Sequence, residues 1–170
     1  LDFSASINPL GPSASALRVI ARANELLCHY PDPACWDLRQ ALGAFWDRSP
    51  KEFLIGNGST ELIHLFPAAL QIRHLLVIGP TFSEYAAAMA RSGGQVSMVM
   101  AKRADGYRPP LEQVFADPEQ FRRSGNSGKP VDAVLLCNPN SPTGQVCDAA
   151  LVRKLARQAA RCGLWCLVDE

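Results

Sequence analysis

Residues 131–144 read Val131-Asp132-Ala133-Val134-Leu135-Leu136-Cys137-Asn138-Pro139-Asn140-Ser141-Pro142-Thr143-Gly144. The first half, Val131 to Cys137, is almost wholly apolar, the pattern of a strand buried on both faces. The second half is small, polar and broken by two prolines, so the strand ends in a rigid turn that presents amide and hydroxyl groups. A strand covered on both faces needs helices above and below it, and the flanking sequence supplies them. Leu75 to Ile78 and Val96 to Met100 read as further strands, and Leu164 to Val168 as a last one leading into Asp169-Glu170. Phe53-Leu54-Ile55 reads as a short strand that opens the series. Between these runs lie helical segments from Thr60 onward, from Thr81 to Arg91, near Leu111 to Phe115, and over 149–162. The last is capped by Asp148 and carries Leu151, Val152, Leu155 and Ala159 on one face. Ser92-Gly93-Gly94 closes the second, and the polar stretch 103–130 holds an expected mobile loop at Ser124 to Gly128. Strands alternating with amphipathic helices predict an α/β fold, a mostly parallel sheet with helices on both faces.

Upstream, Ser13 caps an expected helix to about residue 28, and Tyr30-Pro31-Asp32-Pro33 is a loop, because two prolines cannot sit in a helix interior. Leu38, Ala41, Leu42, Phe45 and Trp46 then form one helical stripe, which Ser49-Pro50 ends. With 17 Lys+Arg against 16 Asp+Glu, the formal charge of +1 lacks the basic excess of a nucleic-acid binder or a polybasic membrane-surface protein. No apolar run approaches the roughly 18 residues that span a bilayer. The six cysteines have irregular spacings without C-x-x-C, and the three histidines form no ligand motif. They read as thiols of a reducing cytosol, with no metal expected.

In a parallel sheet, ligands bind at the carboxyl ends of the strands. Gly56-Asn57-Gly58-Ser59-Thr60-Glu61 opens a helix with glycines and unpaired N–H groups, which suits a phosphate and equally suits a plain capped turn. It is no dinucleotide fingerprint, since Glu61 stands in place of the third glycine. Gly125-Asn126-Ser127-Gly128-Lys129 is no magnesium-nucleotide loop, since Pro130 stands where Ser or Thr must be. In Gly79-Pro80-Thr81-Phe82-Ser83-Glu84-Tyr85 the aromatics either stack on a flat heterocycle or belong to the core. Asp169 is either a surface acid or the partner of a protonated ring nitrogen, whose charged form an opposite charge favours. Phosphate nest, aromatic plate, polar turn and terminal acid, taken together, match a phosphorylated pyridine ring with a phenolic oxygen.

These segments resemble the pyridoxal-phosphate enzymes of the aspartate-aminotransferase fold, class I/II. Within them the chain is most similar to the threonine-phosphate decarboxylases of cobalamin synthesis and then to the histidinol-phosphate aminotransferases. The opening Asp2-Phe3-Ser4-Ala5-Ser6-Ile7-Asn8-Pro9-Leu10-Gly11 resembles the decarboxylases, and Tyr30-Pro31-Asp32 is similar to both groups. The resemblance implies pyridoxal 5′-phosphate as cofactor, with Gly58, Ser59 and Thr60 on its phosphate, Phe82 stacked on its ring with Tyr85 nearby, and Asp169 on its ring nitrogen. Tyr30 would reach the phosphate in a neighbouring subunit of a homodimer, and Ile7 and Asn8 would lie on the substrate side. Where the family has Asn before Pro-Thr-Gly, this chain has Ser141, so the contact to the phenolic oxygen falls to Ser141, with Asn140 as a possible substitute.

The resemblance also implies a layout: 1–35 as a segment and helix of the substrate side, and 36–170 as the amino-terminal part of the cofactor-binding large domain. Lys51, Lys102, Lys129 and Lys154 match no family lysine, so the Schiff-base lysine and the small domain are expected beyond Glu170. The isolated 170 residues are then expected to be inactive, to bind cofactor weakly and to be poorly soluble. The implied function is that of a cytoplasmic carboxy-lyase releasing carbon dioxide from L-threonine O-3-phosphate, a small phosphorylated amino acid, to give aminopropanol phosphate. The alternatives are transamination of histidinol phosphate and, in a different class, a lysine-less cofactor-binding or interaction domain without catalysis.

Overall fold

The computed structural model describes residues 7–116 and 130–170; residues 2–6 of the opening motif and the expected 124–128 loop lie outside them. The chain divides into two compact units, one up to Ile55 and one from Gly56 onward.

In the first unit, helix α1 (Ala14–Ala21) starts where expected, with Ser13 Oγ accepting from the Ala16 N–H at 3.2 Å. It ends before residue 28. From Ala23 to Leu26 the chain tightens into a 3-10 turn, with the Leu27 N–H donating to the Asn24 carbonyl, as suits an asparagine that competes poorly for an α-helix interior. Helix α2 (Trp36–Trp46) is preceded by Asp32, whose carboxylate accepts from the N–H groups of Ala34 at 2.9 Å and Trp36 at 2.8 Å. Those donors hold the Asp32 carboxyl below the usual carboxylate range. The expected strand at Phe53-Leu54-Ile55 does not form. A capping box of Ser49 and Glu52 winds Pro50–Glu52 into a 3-10 turn, and Leu54 is left 73% exposed. Three residues give too few ladder hydrogen bonds to offset the ordering of their backbone.

The second unit runs α3 (Ser59–Ala69), β1 (His74–Gly79), α4 (Glu84–Arg91), β2 (Gln95–Met100), α5 (Leu111–Ala116), β3 (Ala133–Cys137), α6 (Ala149–Arg161) and β4 (Trp165–Asp169). The strands form one parallel sheet in the order β2-β1-β3-β4, with His74 opposite Gln95, Leu75 opposite Ala133 and Cys137 opposite Asp169. Successive residues point to opposite faces, which explains the unbroken apolar runs. Leu76, Ile78, Val134 and Leu136 pack with Leu111, Val114, Leu155 and Ala159 on one side. Leu75, Val77, Ala133, Leu135 and Cys137 pack with Ile63, Tyr85, Ala88 and Met89 on the other. Helices α5 and α6 therefore cover one face, α3 and α4 the other. Helix α4 begins at Glu84 rather than Thr81, because Pro80 to Ser83 carry the chain from the strand end across to the helix layer. Gly94 admits the close turn from α4 into β2: a Cβ there would sit 2.3 Å from Met89 Cε and 3.2 Å from the Arg73 carbonyl.

The amino rim of the sheet is tied by polar groups. Asp132 Oδ2 accepts from the N–H groups of Arg73 at 2.7 Å and His74 at 2.8 Å. The buried His74 ring meets Ser97 Oγ at 2.7 Å through Nε2 and the Pro130 carbonyl at 3.2 Å through Nδ1.

Candidate functional site

From β1 the chain crosses through α4 to β2 on one side, and from β3 through α6 to β4 on the other. The strand order reverses between β1 and β3, and a crevice opens at the carboxyl ends of strands where such a reversal occurs. Pro80-Thr81-Phe82 leave β1 on one flank, Asn138 to Gly144 leave β3 on the other, and β4 ends at Asp169. The Asn138 N–H donates to the Asp169 carbonyl at 2.8 Å, extending the ladder by one step and fixing the backbone that carries the acid.

Phe82 is 39% exposed, whereas Tyr85, one helical turn on, is fully buried. Their rings meet edge to face, with centroids 5.8 Å apart and planes at 82°. The Tyr85 hydroxyl donates to Asp169 Oδ2 at 2.5 Å. Burial, followed by the bond to Asp169 and the neighbouring Cys137 side chain, pushes the Tyr85 phenol far above its ordinary range, so it remains a donor. Tyr85 thus stands behind Phe82 and Asp169, its hydroxyl already spent on the acid.

The turn after β3 is held by its own asparagines. Asn138 clamps Cys147, accepting from its N–H at 2.7 Å and donating to its carbonyl at 3.2 Å. Asn140 is buried, and its amide donates to the Pro80 carbonyl at 2.9 Å and to Thr143 Oγ1 at 2.7 Å. Both amide hydrogens are therefore engaged in joining two loops, while Ser141 beside it is exposed.

Helix α3 ends at Ala69, five positions before β1 starts, so it runs antiparallel to the strand and its first turn lies at the carboxyl rim. His64 Nε2 meets Glu84 Oε2 at 2.9 Å, tying α3 to the start of α4. Gly58 caps α3 with φ +81° and ψ 169°, a conformation that belongs to glycine, and a Cβ there would meet nothing within 4 Å. Among the described residues no side chain caps the helix, and Ser59 and Thr60 are exposed, which leaves first-turn N–H groups without a protein partner. The preceding turn is shaped by Glu61, whose Oε2 accepts from Asn57 N at 2.5 Å and from Asn57 Nδ2 at 3.2 Å. Glu61 escaped the sequence reading except as a missing glycine; its signal is an acid at the third helical position, within reach of the loop before the cap. The glycine turn follows no strand, contrary to expectation, yet opens at the same rim.

Phe82, Tyr85, Asn140, Ser141, Asp169 and the Gly58-Ser59-Thr60 turn thus belong to one unit and one rim. Ile7, Asn8 and Tyr30 belong to the other unit. Ile7 and Tyr30 are exposed there, and Asn8 folds onto its own turn, accepting from the Leu10 N–H at 3.0 Å.

The family model for aminotransferases of class I and II matches residues 1–170. The chain belongs to that family. Among curated aminotransferase-family proteins, it is 31% identical over 173 residues to the threonine-phosphate decarboxylase of Salmonella typhimurium, covering 100% of this chain and 44% of that protein. It is 37% identical over 139 residues to histidinol-phosphate aminotransferase 1 of Bradyrhizobium diazoefficiens, covering 81% and 35%. The crystal structure of histidinol-phosphate aminotransferase from Sinorhizobium meliloti, in complex with pyridoxal-5′-phosphate, superposes with a TM-score of 0.79 at 24% identity, covering 98% and 42%. The chain spans less than half the length of these relatives. The aminotransferase-family cofactor fits what the rim offers: an exposed ring at Phe82, a carboxylate at Asp169, and a glycine-capped helix start with room above it.

Proposed function

We propose that this chain is the cofactor-binding portion of a pyridoxal-phosphate enzyme that decarboxylates L-threonine O-3-phosphate to aminopropanol phosphate in cobalamin biosynthesis. The observation that carries the cofactor reading is the pairing of an exposed Phe82 with Asp169 at the reversal of strand order, beside the open first turn of α3. The substrate reading is supported by the 31% identity to a threonine-phosphate decarboxylase along the whole chain.

Pyridoxal 5′-phosphate, when bound, supplies a ring that takes up the electron pair released at the substrate's α-carbon. The protein's part is to hold and polarise. Asp169 would meet the ring nitrogen and keep it protonated, because a carboxylate favours the charged form of its neighbour. Phe82 would cover one face of the ring and exclude water from it. Gly58, Ser59 and Thr60 offer first-turn donors to the phosphate, where the helix dipole favours negative charge. Ser141 would donate to the phenolic oxygen from the turn that Asn140 fixes. Tyr30 would reach the phosphate of a second subunit in a homodimer, and Ile7 and Asn8 would border the substrate. No helix among the described residues is long and apolar enough to cross a membrane; the cytoplasmic location in this reading rests on the likeness to metabolic enzymes.

A second reading, transamination of histidinol phosphate, is favoured by the 37% identity to a histidinol-phosphate aminotransferase. A third is a cofactor-binding domain without catalysis. One assay separates the three. The full-length protein is given O-phosphothreonine, then histidinol phosphate with 2-oxoglutarate, and is finally reduced with borohydride. Aminopropanol phosphate supports decarboxylation. Glutamate formed from histidinol phosphate replaces it with transamination. Cofactor that no lysine retains after reduction leaves only the binding domain.

A further inference from the structure

We propose that Tyr85 is a positioning residue shared by the acid and the aromatic plate of the site, fixing Asp169 through its hydroxyl and Phe82 through its ring; this rests on the cofactor reading above. Three observations converge on it. Tyr85 is fully buried in the first turn of α4, packed with Val77, Ala133, Leu135 and Cys137, so its own position is set by the core. Its ring meets Phe82 edge to face at 5.8 Å. Its hydroxyl donates to Asp169 Oδ2 at 2.5 Å, while the Asp169 backbone is already held by β3. The only freedom left to the acid is rotation of its side chain, and the phenol removes it. Oδ1 has no protein donor among the described residues and remains for a ring nitrogen. The same buried ring makes the T-shaped contact with Phe82 and so restricts how far the Phe82 ring can tilt. Two groups from distant parts of the chain are thereby set relative to one another before any ligand arrives, the condition for a preorganised site.

Two substitutions separate hydroxyl from ring. Tyr85→Phe keeps the edge contact and loses the donor; Tyr85→Leu loses both. In the cofactor-free, full-length protein, the infrared carboxylate band that Asp169→Asn abolishes is expected to shift in Tyr85→Phe. With pyridoxal 5′-phosphate added, Tyr85→Phe is expected to lower the midpoint of the ring-nitrogen titration, followed by absorbance, and to weaken binding about tenfold, the scale of one lost hydrogen bond. Affinity for inorganic phosphate stays as in the parent. Tyr85→Leu and Phe82→Ala are expected to be non-additive in affinity, while Tyr85→Phe and Phe82→Ala add. An infrared band and a ring titration both unmoved in Tyr85→Phe overturn the proposal. If the parent binds no pyridoxal 5′-phosphate, the cofactor reading fails, and the infrared band still decides the brace: a shift supports it and no shift overturns it. Should Tyr85→Leu not fold, the Tyr85→Phe measurements decide between the same two outcomes.

Discussion

The side-chain amide of Asn140 donates to the carbonyl of Pro80 across 2.9 Å, joining loops 60 positions apart in the chain. The two loops flank the reversal of strand order, one carrying Phe82 and the other Ser141, so this bond fixes the spacing between them.

Asn140→Ala removes that bond and the one to Thr143, leaving the half-buried Pro80 carbonyl without this donor, while Thr143 Oγ1 keeps the Gln145 N–H at 3.4 Å. The expected cost is about 1–3 kcal/mol, read as a lower denaturant midpoint. A midpoint equal to the parent's is incompatible with a structural role for the amide.

Gly58→Ala places a side chain on a backbone with φ +81° and ψ 169°, where space is open but the conformation is strained. Stability is expected to drop by roughly 1–3 kcal/mol. Phosphate affinity should fall with it as the cap relaxes, which calorimetric titration with inorganic phosphate measures.

Phe82→Ala alters an exposed ring and is expected to leave the thermal midpoint nearly unchanged. Cofactor retention is another matter. By analogy with aromatic stacking on nucleobases, its loss costs about 1–3 kcal/mol of binding. Equilibrium dialysis against pyridoxal 5′-phosphate reads it, and undiminished retention removes Phe82 from the stacking role.

Asp169→Asn keeps the shape of the side chain and removes its charge. If the proposed function holds, turnover of the full-length protein is expected to fall far more than cofactor affinity. Equal turnover in the two proteins shows that the ring nitrogen finds its charge partner elsewhere.

Tyr85 predicts the alkaline limit of the fold. Its phenol keeps its proton in the folded protein well above the ordinary value near 10, because burial and Asp169 oppose ionisation. The stabilisation is complete below that ordinary value. As pH rises past about 10 the unfolded chain loses the proton and the folded one does not, so stability falls. Tyr85→Phe should flatten this decline in denaturant midpoints taken between about pH 9 and 11, and an equally steep decline in the variant points to another group.

The strands were legible because a run such as Leu135-Leu136-Cys137 is apolar at every position, which only burial on both faces permits. Asp148 was legible as a cap because a carboxylate before an amphipathic run has one local use, and it does accept from Leu151 at 2.8 Å. Phe53-Leu54-Ile55 misled because three apolar residues satisfy a strand pattern without providing a ladder. Local pattern could place Asp169 at a strand end and Tyr85 near a helix start. It could not show that they touch, since their separation of 84 positions is closed only by the strand order. The engagement of both amide hydrogens of Asn140 was hidden for the same reason: its acceptor on Pro80 belongs to another loop.

At the opposite rim, Asp132 gathers the backbone of Arg73 and His74, and His74 in turn gathers Ser97. Three adjoining strands are thereby kept in step by a knot that owes nothing to the loops above the crevice. Evolution can redraft those loops turn by turn without unpicking the weave beneath them.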